Sequence, residues 1–513
     1  MAIVGIDLGT TFSAIAVLDD IGNPEVLPSL DNNRVTPSIV YISTDNKIIV
    51  GDKAKSAGIG DPTRVIKEVK KEMGSDKVFD IKKGDWVDGK QDLKNTYSPA
   101  YISACILKKL KNYTQDVKQV VITVPALFSN ASKEATEDAA KDAGLEVLEV
   151  IHEPTAAILH YSNIPGVSLS GKILVFDLGG GTFDVTIADV QGKNIDVITS
   201  QGDGNLGGTD FDKEIFNLLS EKYKKEKGNS LDENAQYLEV AEKIKRILSV
   251  KDNTSEVIDG PDGPLEIKIT RDEYIKSIGS YLDRIKMLLD ACLDGKKLQP
   301  SDITETLLVG GSTRTPIITE LVTKKMKKPP VKGVNVDEAV ASGAAIYAGL
   351  LSKDRLNAAQ KKAIEDIELQ EVTNFYLGTK ALTINDVTQQ YEEYNSIIIH
   401  RDSKLPCSVT LDYYTVRHDQ KAIDIKVTQS GTEESDMNFV DIIGEYTLEL
   451  PPGTPEGDRI DTTYSYDKSG IMHCKSVHSS SGNTNSTDVS IKSGTDKKND
   501  NDDDPFLNFD FED

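Results

Sequence analysis

One pattern occurs twice in this chain and limits what it can fold into. Gly5-Ile6-Asp7-Leu8-Gly9-Thr10-Thr11-Phe12-Ser13 near the start and Val175-Phe176-Asp177-Leu178-Gly179-Gly180-Gly181-Thr182-Phe183-Asp184 further on share one wording: apolar strand, Asp, Leu, Gly, Thr. In each, a short apolar run delivers an aspartate to a turn. Gly9 lets the first turn come close to a ligand, and Thr10 and Thr11 offer hydroxyl and backbone N–H groups to phosphate oxygens. A plain hairpin would explain the first copy by itself. The three glycines of the second can wrap an anion with their N–H groups, and the duplication argues against two idle turns. Asp177 and Asp184 add carboxylates suited to hydrated Mg²⁺.

A third loop, Leu308-Val309-Gly310-Gly311-Ser312-Thr313-Arg314-Thr315-Pro316, again runs from a strand into glycines and then toward a helix. Its Gly-Gly step permits a base or ribose to lie flat against backbone, and Arg314 can stack on a base. No G-x-x-x-x-G-K-[ST] occurs, so phosphates would be gripped by two β-hairpins and not by a P-loop. Strand candidates at Ile3–Ile6, Val120–Val124, Ile173–Phe176 and Thr306–Val309 alternate with helical patterns at Ser132–Ala143, Asp210–Lys225 and Asn234–Ser249. That alternation predicts α/β architecture over residues 1–363. A polar helix is expected over Asp354–Asp366 and a short linker over 364–371. From 372 to 492 period-two alternation takes over, as in Ala422–Val427 and Tyr446–Leu450, with turn signals at Pro451-Pro452-Gly453 and Ser469-Gly470. This predicts an antiparallel all-β domain with one buried face per strand. Residues 493–513 read as a disordered acidic tail whose phenylalanines are either a docking motif or idle.

The formal net charge of -24 argues against nucleic acid or an anionic membrane as the main partner. The four cysteines, Cys105, Cys292, Cys407 and Cys474, form no C-x-x-C pair, so no zinc ribbon or thioredoxin-like site is indicated. With no signal peptide, retention signal or membrane-spanning apolar stretch read from the sequence, a cytoplasmic protein is expected.

The three glycine loops, in this order, resemble those of the seventy-kilodalton heat-shock chaperones, of the actin and hexokinase fold superfamily. Further stretches resemble that family: Val124-Pro125-Ala126-Leu127-Phe128, Glu153-Pro154-Thr155-Ala156-Ala157, Leu206-Gly207-Gly208-Thr209-Asp210-Phe211-Asp212, Glu242 to Ser249, and Asp337-Glu338-Ala339-Val340-Ala341. The resemblance covers nearly all of 1–350 and continues more loosely to 492. It implies a two-lobed actin-like (ribonuclease H-like) ATPase domain followed by a β-sandwich that holds extended apolar peptide. It implies ATP and ADP with Mg²⁺ and K⁺, unfolded or client polypeptides as partners, a J-domain co-chaperone and a nucleotide exchange factor.

Carried over residue by residue, the resemblance assigns catalysis to Lys70, Glu153, Asp177 and Thr182, with Lys71 the other reading of the lysine register. It assigns nucleotide binding to Gly9, Thr10, Thr11, Phe12, Lys70, Gly180, Gly181, Thr182, Gly207, Gly208, Gly310, Gly311, Ser312, Arg314 and Asp337. Glu242, Lys245, Arg246 and Ser249 join them, spaced to share one helix face. Asp7, Asp177 and Asp184 would hold the metal largely through water. Peptide contact falls to Phe375, Leu377, Leu382, Tyr413, Val416, Ile423 and Ile425, each equally readable as sandwich core.

The chain also departs from the family. The helical lid is expected to be missing, so bound peptide should escape quickly. Glu368 and Gln370 interrupt the apolar linker. Docking would bury those polar groups unless they face water, and weaker coupling is expected. Glu149 and Lys133 stand where many relatives carry arginine. The reading is an ATP-dependent chaperone. Its rivals are a nucleotide-switched binding protein dedicated to one client and a small-molecule kinase of the same superfamily.

Overall fold

A computed structural model describes residues 2–489 apart from 59, 93, 165, 166, 168, 333, 334, 385–388 and 467–471. The expected acidic tail and the Ser469-Gly470 turn therefore lie outside the described residues.

The repeated motif seeds two similar sheets. In the first, Ala2–Asp7 pairs parallel with Val117–Val124 and antiparallel with Phe12–Leu18. In the second, Ser170–Leu178 pairs parallel with Ile303–Val309 and antiparallel with Phe183–Gln191. All four expected strands fall inside these elements. The expected helices appear as Asn130–Asp142, Gly208–Lys227 and Ala235–Leu248. Each sheet anchors its own lobe, with separate apolar cores.

Two inner helices, Glu153–Ser162 and Ala339–Leu351, carry a third core between the lobes. The second of these is apolar almost all round, which requires burial on every side. Small residues let it fit. A Cβ on Gly343 would lie 1.7 Å from the Ala156 carbonyl oxygen, and one on Gly5 would lie 2.1 Å from the Ala345 nitrogen. The long polar helix expected over Asp354–Asp366 is shorter. A 3-10 turn at Lys353–Arg355 precedes an α-helix at Ala358–Ala363. Asn357, capping that helix through Gln360 N–H at 2.9 Å, interrupts the run.

Beyond it, eight strands form two four-stranded antiparallel sheets around one apolar core. Met472–His478 alternates buried and exposed positions along its length, as one buried face requires. The segment between this sandwich and the lobes is itself a strand. Glu368–Gln370 adds in parallel to the edge of the second lobe's sheet, with Ile195 opposite Leu369. Ile367 and Leu369 pack against the inter-lobe core while Glu368 stays exposed. Gln370 donates to the Leu405 carbonyl at 2.5 Å. The polar residues thus reach water or a partner, and a docked linker carries no burial penalty from them.

The sandwich touches both lobes. Asn374 Nδ2 donates to the Ala126 carbonyl and Tyr466 Oη to Asn130 Oδ1 at 3.0 Å, both in the first lobe. Lys404 pairs with Asp196 at 2.9 Å and Arg401 donates to the Ser200 carbonyl, both in the second.

Candidate active site

The cleft between the lobes is where the glycine loops meet. The first hairpin turns so tightly that a Cβ on Gly9 would lie 2.1 Å from the Phe12 carbonyl oxygen. Across from it, a Cβ on Gly180 would strike Thr11 Oγ1 at 1.7 Å, and one on Gly181 would meet Lys71 Cε at 2.4 Å and Thr10 Cγ2 at 2.8 Å. Gly207 backs this turn, its Cβ position 2.5 Å from Gly180 and Gly181 backbone atoms. Gly310 has φ 82°, and a Cβ there would also meet the Leu178 carbonyl at 2.4 Å. Side chains at these positions would fill the cradle. The Thr11 hydroxyl is buried without a hydrogen-bond partner among the described residues. A buried hydroxyl of that kind costs free energy unless a ligand satisfies it.

The charged groups lie at one end. Lys70, only 4% exposed, donates to Glu153 Oε1 and stands 5.9 Å from the Phe128 ring centre. It comes from a 3-10 turn, Val69–Glu72, whose entry residue Glu68 has φ 56°. Glu153 opens its helix immediately after His152. Burial would lower the Lys70 amine, but Glu153, Asp7 and Asp177 outweigh it and hold it above its ordinary value.

The acids shift the other way. Burial, then repulsion from Glu153, pushes Asp7 up to about 7 and Asp184 up to about 8, and drives Asp177 well above the carboxylate range. Thr123 Oγ1 donates to Asp7 at 3.0 Å. Three buried carboxylates, Glu153, Asp177 and Asp184, with the half-buried Asp7, face one buried amine and call for added positive charge, which fits a cation-bearing ligand. Among the described residues no three acidic or imidazole side chains converge closely enough to ligate an ion directly. That donor set suits a cation that keeps its waters.

The helix Ala235–Leu248 crosses nearby. Lys245 donates to the Gly208 carbonyl at 2.7 Å and pairs with Asp212 at 2.8 Å. Arg246 pairs with Glu242 at 2.7 Å and lies 5.7 Å from the Phe12 ring centre. Ser249 Oγ donates to the Lys245 carbonyl. Ser312 Oγ donates to the Gly179 carbonyl at 2.7 Å, and Arg314 pairs with Asp337 at 2.7 Å. Lys55 to Glu242 and Lys67 to Glu239, each 3.8 Å, bridge the lobes. Residues given no role from the sequence also belong here: Asp212 partners Lys245, Phe128 faces Lys70 and Thr123 holds Asp7. Lys71, the other reading of the lysine register, reaches Thr209.

The family model described as Hsp70 protein matches residues 3–505. The chain belongs to the Hsp70 family. It is 37% identical over 500 residues to the chaperone protein DnaK of Thermotoga petrophila and equally to that of Thermotoga maritima, covering 94% of this chain and 79% of each relative. With DnaK of Thermosipho melanesiensis it is 38% identical over 490 residues, covering 92% and 77%. As an Hsp70 protein it is an ATP-hydrolysing molecular chaperone, built as a two-lobed actin-like ATPase with a β-sandwich, and it uses ATP or ADP with Mg²⁺.

In this Hsp70 sandwich the seven peptide candidates fall into four settings. Leu377 and Ile425 are buried in the core, and Phe375, Tyr413 and Ile423 pack partly against it. Val416 is half-buried. Leu382 is 43% exposed, near Ile384 at 51% and Tyr391 at 52%. The departures from the family also find partners. Tyr347 Oη donates to Glu149 at 2.7 Å, and Lys133 faces Glu371, with burial pushing its amine down to about 8. Glu371 lies 3.2 Å from His152. Burial pushes its carboxyl upward, but His152, Thr155 and Lys133 outweigh it and hold it below its ordinary value. Among the described residues no helix is long and apolar enough to cross a membrane.

Proposed function

We propose that ATP lies between the two threonine- and glycine-bearing hairpins, with its terminal phosphoryl group beside the Lys70–Glu153 pair. The observation that supports this best is the buried Thr11 hydroxyl, without a partner among the described residues and facing a glycine turn too close to admit a side chain. Thr10, Thr11, Gly180, Gly181 and Thr182 donate to phosphate oxygens. Glu153 fixes the Lys70 amine, which places positive charge against the phosphoryl oxygens as negative charge develops there. Glu153 and Asp177 accept hydrogen bonds from the attacking water and so orient it. Bound Mg²⁺ would neutralise phosphate charge, its waters held by Asp7, Asp177 and Asp184, with K⁺ in the same acidic surroundings.

Adenosine lies against Glu242, Lys245, Arg246 and Ser249, with Gly310, Gly311, Ser312, Arg314 and Asp337 on its other side. Extended apolar peptide occupies the sandwich, Leu382 offering the most accessible of the candidate surfaces. Residues 1–363 act as the ATPase, 364–371 as the linker, 372–492 as the peptide domain and 493–513 as a tail. The protein works in the cytoplasm with a J-domain co-chaperone and an exchange factor.

ATP turnover by wild type and Lys70→Ala tests the site. Turnover should fall by about 100-fold, the scale of losing one charge-stabilising donor, with the protein still folded. Unchanged turnover would remove Lys70 from the chemistry.

A further inference from the structure

Two lysines leave the same 3-10 turn and do different things. Lys70 meets Glu153. Lys71 stays in the cleft, its side chain 14% exposed, and pairs with Glu68 Oε2 at 2.9 Å. Its amine also donates to Thr209 Oγ1 at 3.1 Å. Lys71 belongs to the first lobe, where its neighbours Val69 and Met73 enter the core. Thr209 stands in the first turn of the second lobe's Gly208–Lys227 helix, and its backbone N–H bonds the Gly180 carbonyl at 2.8 Å. One side chain therefore spans the two lobes at the glycine turn. Its Cε lies 2.4 Å from where a Gly181 Cβ would be, and Thr10 Cγ2 lies 2.8 Å from that same point.

We propose that Lys71 is a second phosphate-reading cation, one that distinguishes a nucleoside triphosphate from a diphosphate. Lys70, from the same 3-10 turn, meets Glu153, while Lys71 lies over the Gly180–Gly181 turn proposed to hold the phosphates. Its resting partners are one glutamate and one hydroxyl. A terminal phosphoryl group carries more negative charge than Glu68 and presents several acceptor oxygens, so it competes well for the amine. Thr209 keeps the amine over the turn, and the contact ties lobe closure to the presence of the terminal phosphate. This inference rests on the proposed nucleotide position.

Competition of ATP and of ADP against a fluorescent ADP, measured in the cold before turnover, tests it on the full-length chain. Lys71→Ala should weaken ATP binding by about tenfold, the loss of roughly one charge-assisted hydrogen bond. ADP should weaken by less than about threefold on the same scale. Lys71→Arg, which keeps the charge, should restore most of the preference. Thr209→Val should reduce it while preserving packing. Equal weakening of both nucleotides, or no change in a folded Lys71→Ala protein, would overturn the proposal. Failure of the wild type to bind either nucleotide would instead overturn the nucleotide position on which it depends.

Discussion

Asp7 and Asp184 show how far a buried site can bend ordinary acid chemistry. Their carboxyls reach about 7 and about 8 because burial and the neighbouring Glu153 penalise the charged form. A carboxyl whose folded value is raised favours the fold while protonated, and that advantage is lost as pH rises from the unfolded value through the folded one. With metal and nucleotide chelated away, the melting temperature should therefore fall between about pH 4 and about pH 8, from the ordinary carboxylate value of 3.8 to the raised ones. Adding Mg²⁺ and ATP near pH 7 should reverse the loss and release protons. Calorimetric binding enthalpies measured in two buffers of different ionisation heat would then differ, and identical enthalpies would contradict the account. Lys70 illustrates a different point. It and Lys71 are the same residue type side by side, and only the geometry of one 3-10 turn sends one to Glu153 and the other to Thr209. No spacing rule separates them.

At the scale of elements, the strand Glu368–Gln370 is the most exposed to test. Leu369 sits opposite Ile195 and packs on the inter-lobe core. Leu369→Asp would place a charge there and forfeit about 1.5–3 kcal/mol of apolar burial at most. Hydrogen exchange of the facing Asn194–Asp203 amides should speed up, and peptide should no longer alter ATP turnover, while turnover without peptide persists. Retained protection would mean that the strand is not held by Leu369.

Much at this scale was legible beforehand. Apolar runs that stop at Asp7, at Asp177 and at Gly310 mark buried strands ending at a site, because a strand buried on both faces reads as continuous apolar sequence. The Ile367-Glu368-Leu369-Gln370 alternation, read as an obstacle to docking, is the period of a strand with one packed face. The helix expected over Asp354–Asp366 failed because composition does not register Asn357, which caps a new helix. Helical spacing put Lys245 on one face with Glu242, Arg246 and Ser249, but its partner Asp212 comes from another helix, and helical spacing says nothing about contacts between helices.

At the scale of the whole molecule, the sandwich is fixed to both lobes that wall the cleft. It holds the first lobe through Asn374 and Tyr466, the second through Arg401 and Lys404, and the strand between domains lies on the sheet that carries Asp177 and Asp184. Anything that rotates the lobes must strain or release those contacts. His152, one residue before Glu153, lies beside Glu371, the residue that follows Gln370. Glu153, the carboxylate proposed to orient the attacking water, and the entry to the sandwich are thus neighbours. A ligand shifts such an equilibrium only through different affinities for its two states, so ATP weakens peptide retention if it favours this docked arrangement and peptide favours the undocked one. Stopped-flow release of a fluorescent apolar peptide after mixing with Mg²⁺-ATP measures this directly. Release should accelerate by about tenfold or more over mixing with ADP, a coupling of about 1.4 kcal/mol. An identical release rate in the two nucleotides, from protein that binds both, would contradict the coupling of the two domains.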